Sequence, residues 1–276
     1  YFRKMVAMSH LAKELGADAL DDVSPFLGHK HWRLRKHANK VAVDLIKAGA
    51  GAGLIKQFAS AEDQRAAGML IALADAAHEP ALGTAKAALK HKNPVVRKAA
   101  VQAVFAIGGD AEIETVLAFM RQAREPEDMH GCELALLSRR GDPGHVKRVS
   151  EAAIASLTRG EPVLRRSLAW VLGQFGGTEN LAAIQAAAST TRDEADLREM
   201  VRALAYSPDR GADSVMLEIA KVSKLTRDVV VSLSVHRMVG PNGYSDVKDS
   251  DRVIFARAIL SMKFDDRLIT FLGNVH

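Results

Sequence analysis

One pattern of apolar and polar positions is written twice in this chain, as NPVVRKAAVQAVFAIGG over Asn93–Gly109 and as EPVLRRSLAWVLGQFGG over Glu161–Gly177. In each copy a polar residue precedes Pro, an aliphatic-Arg pair follows, small and aliphatic residues recur at helical spacing, and Gly-Gly closes the run. Pro is preset for the first turn of a helix and Gly for its end, so both stretches predict amphipathic helices with defined limits. Arg97 and Arg165 mark equivalent points 68 residues apart, two steps of 34, and Arg198 lies 33 further on. A period of that size predicts an array of helix pairs. On this register, other second helices are predicted near Leu34-Arg35, Arg65, His130, Leu197-Arg198, Val230 and Val253.

Breaks carrying Gly, Pro or Asp divide the rest of the chain. Residues 2–14 read as a lead helix, and 17–28 pairs with 31–48. The next pairs are 52–59 with 63–76, 80–91 with 94–108, 111–124 with 128–139, 144–157 with 162–176, and 179–189 with 195–206. Asp209 or Gly211 opens a further helix. The β-branched run within 226–240 stays helical on its spacing, 240–251 is a turn-rich insertion, and 252–262 pairs with 266–273. The closing LITFLGNVH is relatively apolar and predicts an internal face, where the array continues or docks. The expected fold is an all-α, right-handed α-solenoid of about eight helix pairs, forming a single array over 1–276.

The pattern (P)-x-[VL]-R-x-x-A-x-x-A-[VL]-x-x-[FI]-G resembles the HEAT repeat, in the short form found in bacterial scaffolds and phycobiliprotein lyases. Only the copies beginning at Asn93 and Glu161 keep it in full; the others retain apolar periodicity and lose the marker residues. The resemblance implies that second helices line a concave surface and that Arg35, Arg97, Arg165 and Arg198 form a structural ladder. There a guanidinium can bond a carbonyl or carboxylate of the neighbouring unit.

Composition narrows the packing. Hydrophobic residues are 48% of the 276 but aromatics only 5%, so buried contacts must come from thin, Ala-rich helices packed closely. Cys132 is the only cysteine, which rules out an intramolecular disulfide, a CxxCH haem attachment and a Cys-rich zinc site. No apolar run approaches the roughly 20 residues of a bilayer span, and the amphipathic start does not read as a signal peptide. No membrane span is expected and a cytoplasmic location is favoured. The start at Tyr1 suggests a segment of a longer protein. A net charge of +5, with 33 acidic residues interspersed, favours acidic partners modestly.

The basic residues gather in two stretches, GHKHWRLRKHANK over 28–40 and KAALKHKNPVVRK over 86–98. Lys36 and Lys40 share a helical face; their register equivalents are Lys98 with Gln102 and Arg166 with Trp170. The second helices are therefore expected to present a partly basic strip, with Lys36, Lys40, Lys98, Arg166, Trp170 and Arg202 as candidate ligand-binding residues. Trp170 falls off the stripe of Leu164, Leu168, Val171 and Phe175, so it either faces outward beside Arg166 or plugs the groove against the next repeat. Trp32 is expected to staple the entry of its helix, and His29, His31 and His37 to be solvated.

Catalytic alternatives fare less well. Deoxyhypusine hydroxylase, a HEAT enzyme family, holds two irons through His-Glu pairs at the starts of second helices. The corresponding dipeptides here are Lys36-His37, Lys98-Ala99 and Arg166-Ser167, and the one His-Glu pair, His78-Glu79, stands before Pro80 at a helix boundary. Alkylpurine DNA glycosylases of the AlkD type are also basic HEAT arrays with an aromatic cleft and a catalytic Asp; only Trp32, Trp170 and Tyr206 offer rings here. Bilin lyase chemistry finds only the lone Cys132, and no Ser-His-Asp set or phosphate-binding glycine loop occurs. No metal or cofactor is expected. The favoured reading is a non-catalytic scaffold for an acidic or amphipathic protein or peptide, with nucleic-acid binding as the alternative.

Overall fold

The computed structural model describes residues 1–123, 125–157, 160–222, 228 and 232. The helix pairs expected from 226 onward, the 240–251 insertion and the apolar closing segment lie outside the described residues, apart from residues 228 and 232. Every regular element among the described residues is helical. The chain divides into two compact units, Tyr1–Val149 and Ser150–His276.

In the first unit, α1 (Phe2–Leu15) leads into α2 (Leu20–Val23), which is flanked by short 3-10 turns in place of one continuous helix over 17–28. Then come α3 (Trp32–Leu45), α4 (Gly51–Phe58), α5 (Asp63–Asp75), α6 (Leu82–Ala88), α7 (Pro94–Gly108), α8 (Ile113–Gln122) and α9 (Pro126–Leu137). α3 runs into α4 through a π-helical turn over Ile46–Ala50, with Gly49 at φ 108°. Helix α10 (Pro143–Leu157) crosses the division, and the second unit continues with α11 (Pro162–Phe175), α12 (Thr178–Thr190), α13 (Glu194–Ala205) and α14 (Ala212–Val222).

The predicted start and stop chemistry is present. Pro94, Pro126 and Pro162 are the first residues of α7, α9 and α11. The Asn93 side chain accepts from the backbone N–H of Val95 at 2.9 Å, and Asp193 accepts from Ala195 at 2.8 Å, capping otherwise unbonded donors. Gly109 at φ 62° and Gly176 at φ 66° end α7 and α11 in a conformation that a Cβ disfavours. The N-caps of the second helices are His31, Glu62, Asn93, Glu125, Glu161 and Asp193, so successive steps are 31, 31, 32, 36 and 32 residues. The repeat is thus shorter than the marker arginines indicate. The 68 residues from Arg97 to Arg165 average unequal steps of 32 and 36, and Arg198 adds one residue to the next step because it stands five residues after its N-cap, where Arg97 and Arg165 stand four after theirs. Leu197, buried, holds the true equivalent position.

Small residues carry the packing. In the first unit α3, α5, α7 and α9 stack in sequence, and in the second α11 packs on α13. A Cβ on Gly68 of α5 would collide with the Leu27 carbonyl, one on Gly131 of α9 would come within 2.9 Å of Val101 on α7, and one on Gly173 of α11 within 2.8 Å of the Ala203 carbonyl on α13. Ala66, Ala67, Ala99, Ala100 and Ala103 are buried together where α5 meets α7, and Phe105 of α7 is the largest fully buried side chain among the described residues. Thin helix faces let neighbours approach closely enough for continuous van der Waals contact.

Charged bonds fix the register between neighbouring second helices. Arg97 Nε donates to Asp128 Oδ1 at 2.9 Å and its Nη2 to Oδ2 at 2.9 Å, while Nη1 donates to the carbonyls of His91 and Lys92, both at 2.8 Å. Arg165 repeats this in the second unit: Nε and Nη2 bond Asp196, and Nη1 donates to the Gly160 carbonyl at 3.3 Å. Asp128 and Asp196 are buried, so each depends on its guanidinium for the hydrogen bonds that water would otherwise supply. At another corner of the first unit, Asp110 is bonded by His145 Nδ1 at 2.6 Å, by Arg148 and by Arg139. The His145 Nε2 meets the Leu136 carbonyl at 2.7 Å.

Two predictions follow from these bonds. Asp128→Ala leaves Arg97 without its carboxylate and is expected to lower unfolding free energy by about 3 kcal/mol in urea titration; a loss under about 1 kcal/mol would show that the bond is dispensable. Burial opposes ionisation of Asp110, but hydrogen bonds from His145 and Arg148 outweigh it and hold the carboxyl below its usual range; Glu112 behaves likewise, against burial, through Lys86 at 2.6 Å and Thr115 at 2.7 Å. A depressed folded-state pKa stabilises above the unfolded value and is lost as pH falls through the folded one. Asp110→Asn is therefore expected to be about 1 to 2 kcal/mol less stable than the parent at neutral pH, with the gap narrowing below about pH 4. A gap independent of pH would contradict the assignment.

Candidate interaction surface

Counting from each N-cap places the candidate residues on matching faces of their helices. Lys36, Lys98 and Arg166 stand five positions in, and Lys40, Trp170 and Arg202 nine positions in. In α5 and α9 the same two positions hold Ala67 with Ile71 and His130 with Leu134, so the charged strip is interrupted by apolar residues. Ile71 and Leu134 are nonetheless exposed.

In the first unit Lys36, Lys40 and Lys98 are brought to two adjoining grooves. The larger, about 660 Å³, lies along α1, α3 and the end of α5, and is lined by Met5, Trp32, Arg33, Lys36, Lys40, Asp44 and Asp75 among others. The smaller, about 410 Å³, crosses α3, α5 and α7, with Trp32, Arg35, Lys36, Gln64, Ile71, Val95, Lys98 and Gln102 in its walls. Trp32, Lys36 and Asn39 line both. The smaller groove has three cations and no acid in its lining. Arg33, Lys36, Lys40 and Lys98 make no ion pair among the described residues.

Trp32 does not staple its helix, contrary to expectation. It is the first residue of α3 and 57% exposed, with the Arg33 guanidinium 5.3 Å from the ring centroid. Its place at the open first turn, where no preceding turn covers a side chain, leaves the indole on the surface. The histidines beside it are not simply solvated either. The His31 ring stacks on Tyr1 with centroids 3.7 Å apart, the His29 Nδ1 accepts from the His31 N–H at 3.0 Å, and His37 Nε2 meets Ser9 Oγ at 2.9 Å. Burial of its ring, then the charges of Arg33 and His29, lower the pKa of His31.

The second unit presents a different environment. Arg166 Nε donates to Asp196 Oδ1 at 2.6 Å, and its Nη2 lies 3.7 Å from Asp193. Arg166 thereby joins Arg165 in neutralising the buried carboxylate. Trp170 is half-buried and packs tilted on Tyr206, ring centroids 5.5 Å apart. Of the two orientations open for Trp170, the contact reaches the neighbouring pair. Arg202 is exposed and lies 3.4 Å from Glu199. Cys132 is fully buried, and burial pushes its thiol pKa far up, so it is no nucleophile. Among the described residues no group of three or more His, Cys, Asp or Glu side chains is placed to hold a metal ion, and no helix is long and apolar enough to cross a membrane.

No protein-family model matches the chain, and no curated protein does. Among solved structures it is similar to human deoxyhypusine hydroxylase in complex with glycerol, at 18% identity and a TM-score of 0.35, over 82% of this chain and 97% of that one. It is also similar to an engineered protein at 16% identity and a TM-score of 0.41, over 94% of this chain and 77% of that one. These likenesses carry no functional assignment, and the helical repeat stands on the helices described above.

The two tryptophans are expected to behave oppositely on truncation. Trp170→Ala removes a half-buried ring packed on Tyr206 and should lower stability by about 2 kcal/mol. Trp32→Ala removes an exposed one and should change it by no more than about 0.5 kcal/mol. Urea unfolding followed by far-ultraviolet circular dichroism reads both, and equal effects would contradict the placement of the rings.

Proposed function

We propose that this chain is a HEAT-like repeat protein acting as a non-catalytic interaction module, and that it holds an acidic protein or peptide segment on the face formed by its second helices. The observation that carries this reading is the groove over α3, α5 and α7, where Lys36 and Lys98 lie beside an exposed Trp32 without internal counter-charges. Elsewhere Arg97, Arg165, Arg166 and Arg148 are matched to carboxylates. Unmatched cations around a rigid aromatic suit an acidic partner: the charges steer and orient it, and the ring supplies contact area at small entropic cost. Lys40 extends the face along α3, and we place Trp170 and Arg202 on the corresponding face of the second unit, with Arg166 serving the buried Asp196.

Nucleic acid is the second reading, favoured by the same basic, aromatic-bearing groove. Asp44 and Asp75 in the wall of the larger groove speak against it, since a continuous phosphate backbone cannot avoid them, while a peptide can present an apolar or basic residue there.

A rhodamine-labelled peptide of alternating Asp, Leu and Glu distinguishes the two by fluorescence anisotropy. Binding is expected, weakened by about 2 kcal/mol in Trp32→Ala, and with a slower association rate in Lys36→Ala and Lys98→Ala. Tighter binding of duplex DNA, with log K falling against log salt at a slope of about −3.6 for four phosphate contacts, would overturn the peptide reading.

A further inference from the structure

The Arg–Asp bond that joins neighbouring second helices is complete at two places and incomplete at a third. Arg97 and Arg165 each stand four residues after an N-cap, hold loop carbonyls with Nη1, and present Nε and Nη2 to an Asp three residues after the next N-cap. Arg35 occupies the same position in α3 and makes the same loop bonds, its Nη1 donating to the carbonyls of His29 at 2.8 Å and Lys30 at 2.9 Å. The residue that corresponds to Asp128 and Asp196 is, in α5, Arg65. Its Nη2 donates to Ser24 Oγ at 2.8 Å and Gln57 Oε1 at 2.6 Å, so it serves the first-helix side of the pair. The Nε and Nη2 of Arg35 meet no carboxylate among the described residues.

Arg35 lines the smaller groove together with Trp32 and Lys36 of α3, Gln64 and Ile71 of α5, and Lys98 of α7. We propose that Arg35 is a carboxylate-binding subsite, filled in trans by an Asp or Glu side chain of an acidic peptide that takes the place held internally by Asp128 and Asp196. This rests on the interaction-module reading and assigns its specificity-determining residue. A planar guanidinium binds a carboxylate through two parallel N–H···O bonds, a geometry that an ammonium cannot reproduce. The loop carbonyls of His29 and Lys30 hold Arg35 in place before the ligand arrives, as the equivalent carbonyls hold Arg97 and Arg165 in their finished pairs. Ile71 and Val95, apolar residues of the same groove and both 40% exposed, suit an aliphatic neighbour of the ligand's acid.

The test compares the acidic peptide with a twin in which every Asp and Glu is Asn or Gln, at constant ionic strength. The parent protein is expected to prefer the acidic peptide by tenfold or more, and Arg35→Lys, which keeps the charge and loses the fork, to reduce that preference to about a third or less. Gln64→Glu, at an exposed position in the first turn of α5 that tolerates an acid, supplies a carboxylate in cis and is expected to weaken the acidic peptide several-fold while leaving the amide twin unchanged. If Trp32→Ala weakens the peptide but Arg35→Lys and Gln64→Glu leave the preference intact, the groove binds and the Arg35 subsite is wrong. If neither peptide binds the folded parent protein, the groove reading fails with it. If duplex DNA displaces the acidic peptide and binds more tightly, the occupant is a phosphate chain and the proposal is overturned.

Discussion

The hydrogen-bonded pairing of an arginine on one second helix with a buried aspartate on the next is the interaction on which register depends. Asp128 and Asp196 are taken out of water, and only the guanidinium of Arg97, or of Arg165 and Arg166, compensates for the lost hydration. A slip of one residue would bury a carboxylate against an apolar side chain, so the pairing specifies alignment more sharply than apolar packing between Ala-rich faces can. The same guanidinium closes the loop before its own helix through two backbone carbonyls in the Arg97 copy, tying loop, helix and neighbour together. Where the bond is absent, at Arg35, register must rest on other contacts: Asn39 with Asp75 at 2.6 Å and the close approach of Gly68 to Leu27. Arg35 itself lines the smaller groove.

Close packing by small residues has a second effect. Helices that meet through Gly and Ala leave little room at the interface for long side chains, so cations five and nine residues after the N-cap stay at the surface. Lys36 and Lys40 are exposed for this reason, while Lys98 lies partly covered where α9 approaches through Gly131. The chemistry of the face therefore varies from helix to helix while the scaffold beneath it stays constant.

Much of this was legible in the chain. Proline at the first helical position and paired glycines at the end located α7 and α11 to within a residue or two, and alternation of Ala with Leu and Val marked the buried stripes. The period reads long because the span from Arg97 to Arg165 averages steps of 32 and 36, the longer one lying between the starts of α9 and α11, and because Arg198 stands one position late beside Leu197, where sequence does not reveal which of the two faces inward. The 17–28 segment reads as one helix, but it is a short α2 between 3-10 turns over Gly16–Ala19 and Ser24–Gly28, the second carrying Pro25. Trp32 reads as preceding its helix and stapling the entry, whereas it is the first residue of α3. Its exposure depends on what α1 and α5 leave uncovered, which no local pattern encodes. The partners Asp128 and Asp196 were missed although their spacing of 31 residues from Arg97 and Arg165 was visible. An acid recurring one repeat after an arginine is the signal that finds them.

Hydrogen–deuterium exchange on addition of the acidic peptide tests the central claim directly, because it reports where the chain is covered without altering it. The account predicts added protection in the loop and first turns of α3, and in the facing turns of α5 and α7 around Gln64 to Ile71 and Val95 to Gln102, with α4, α6 and α8 unchanged. Protection confined to those first helices, or none with the peptide bound, would contradict it.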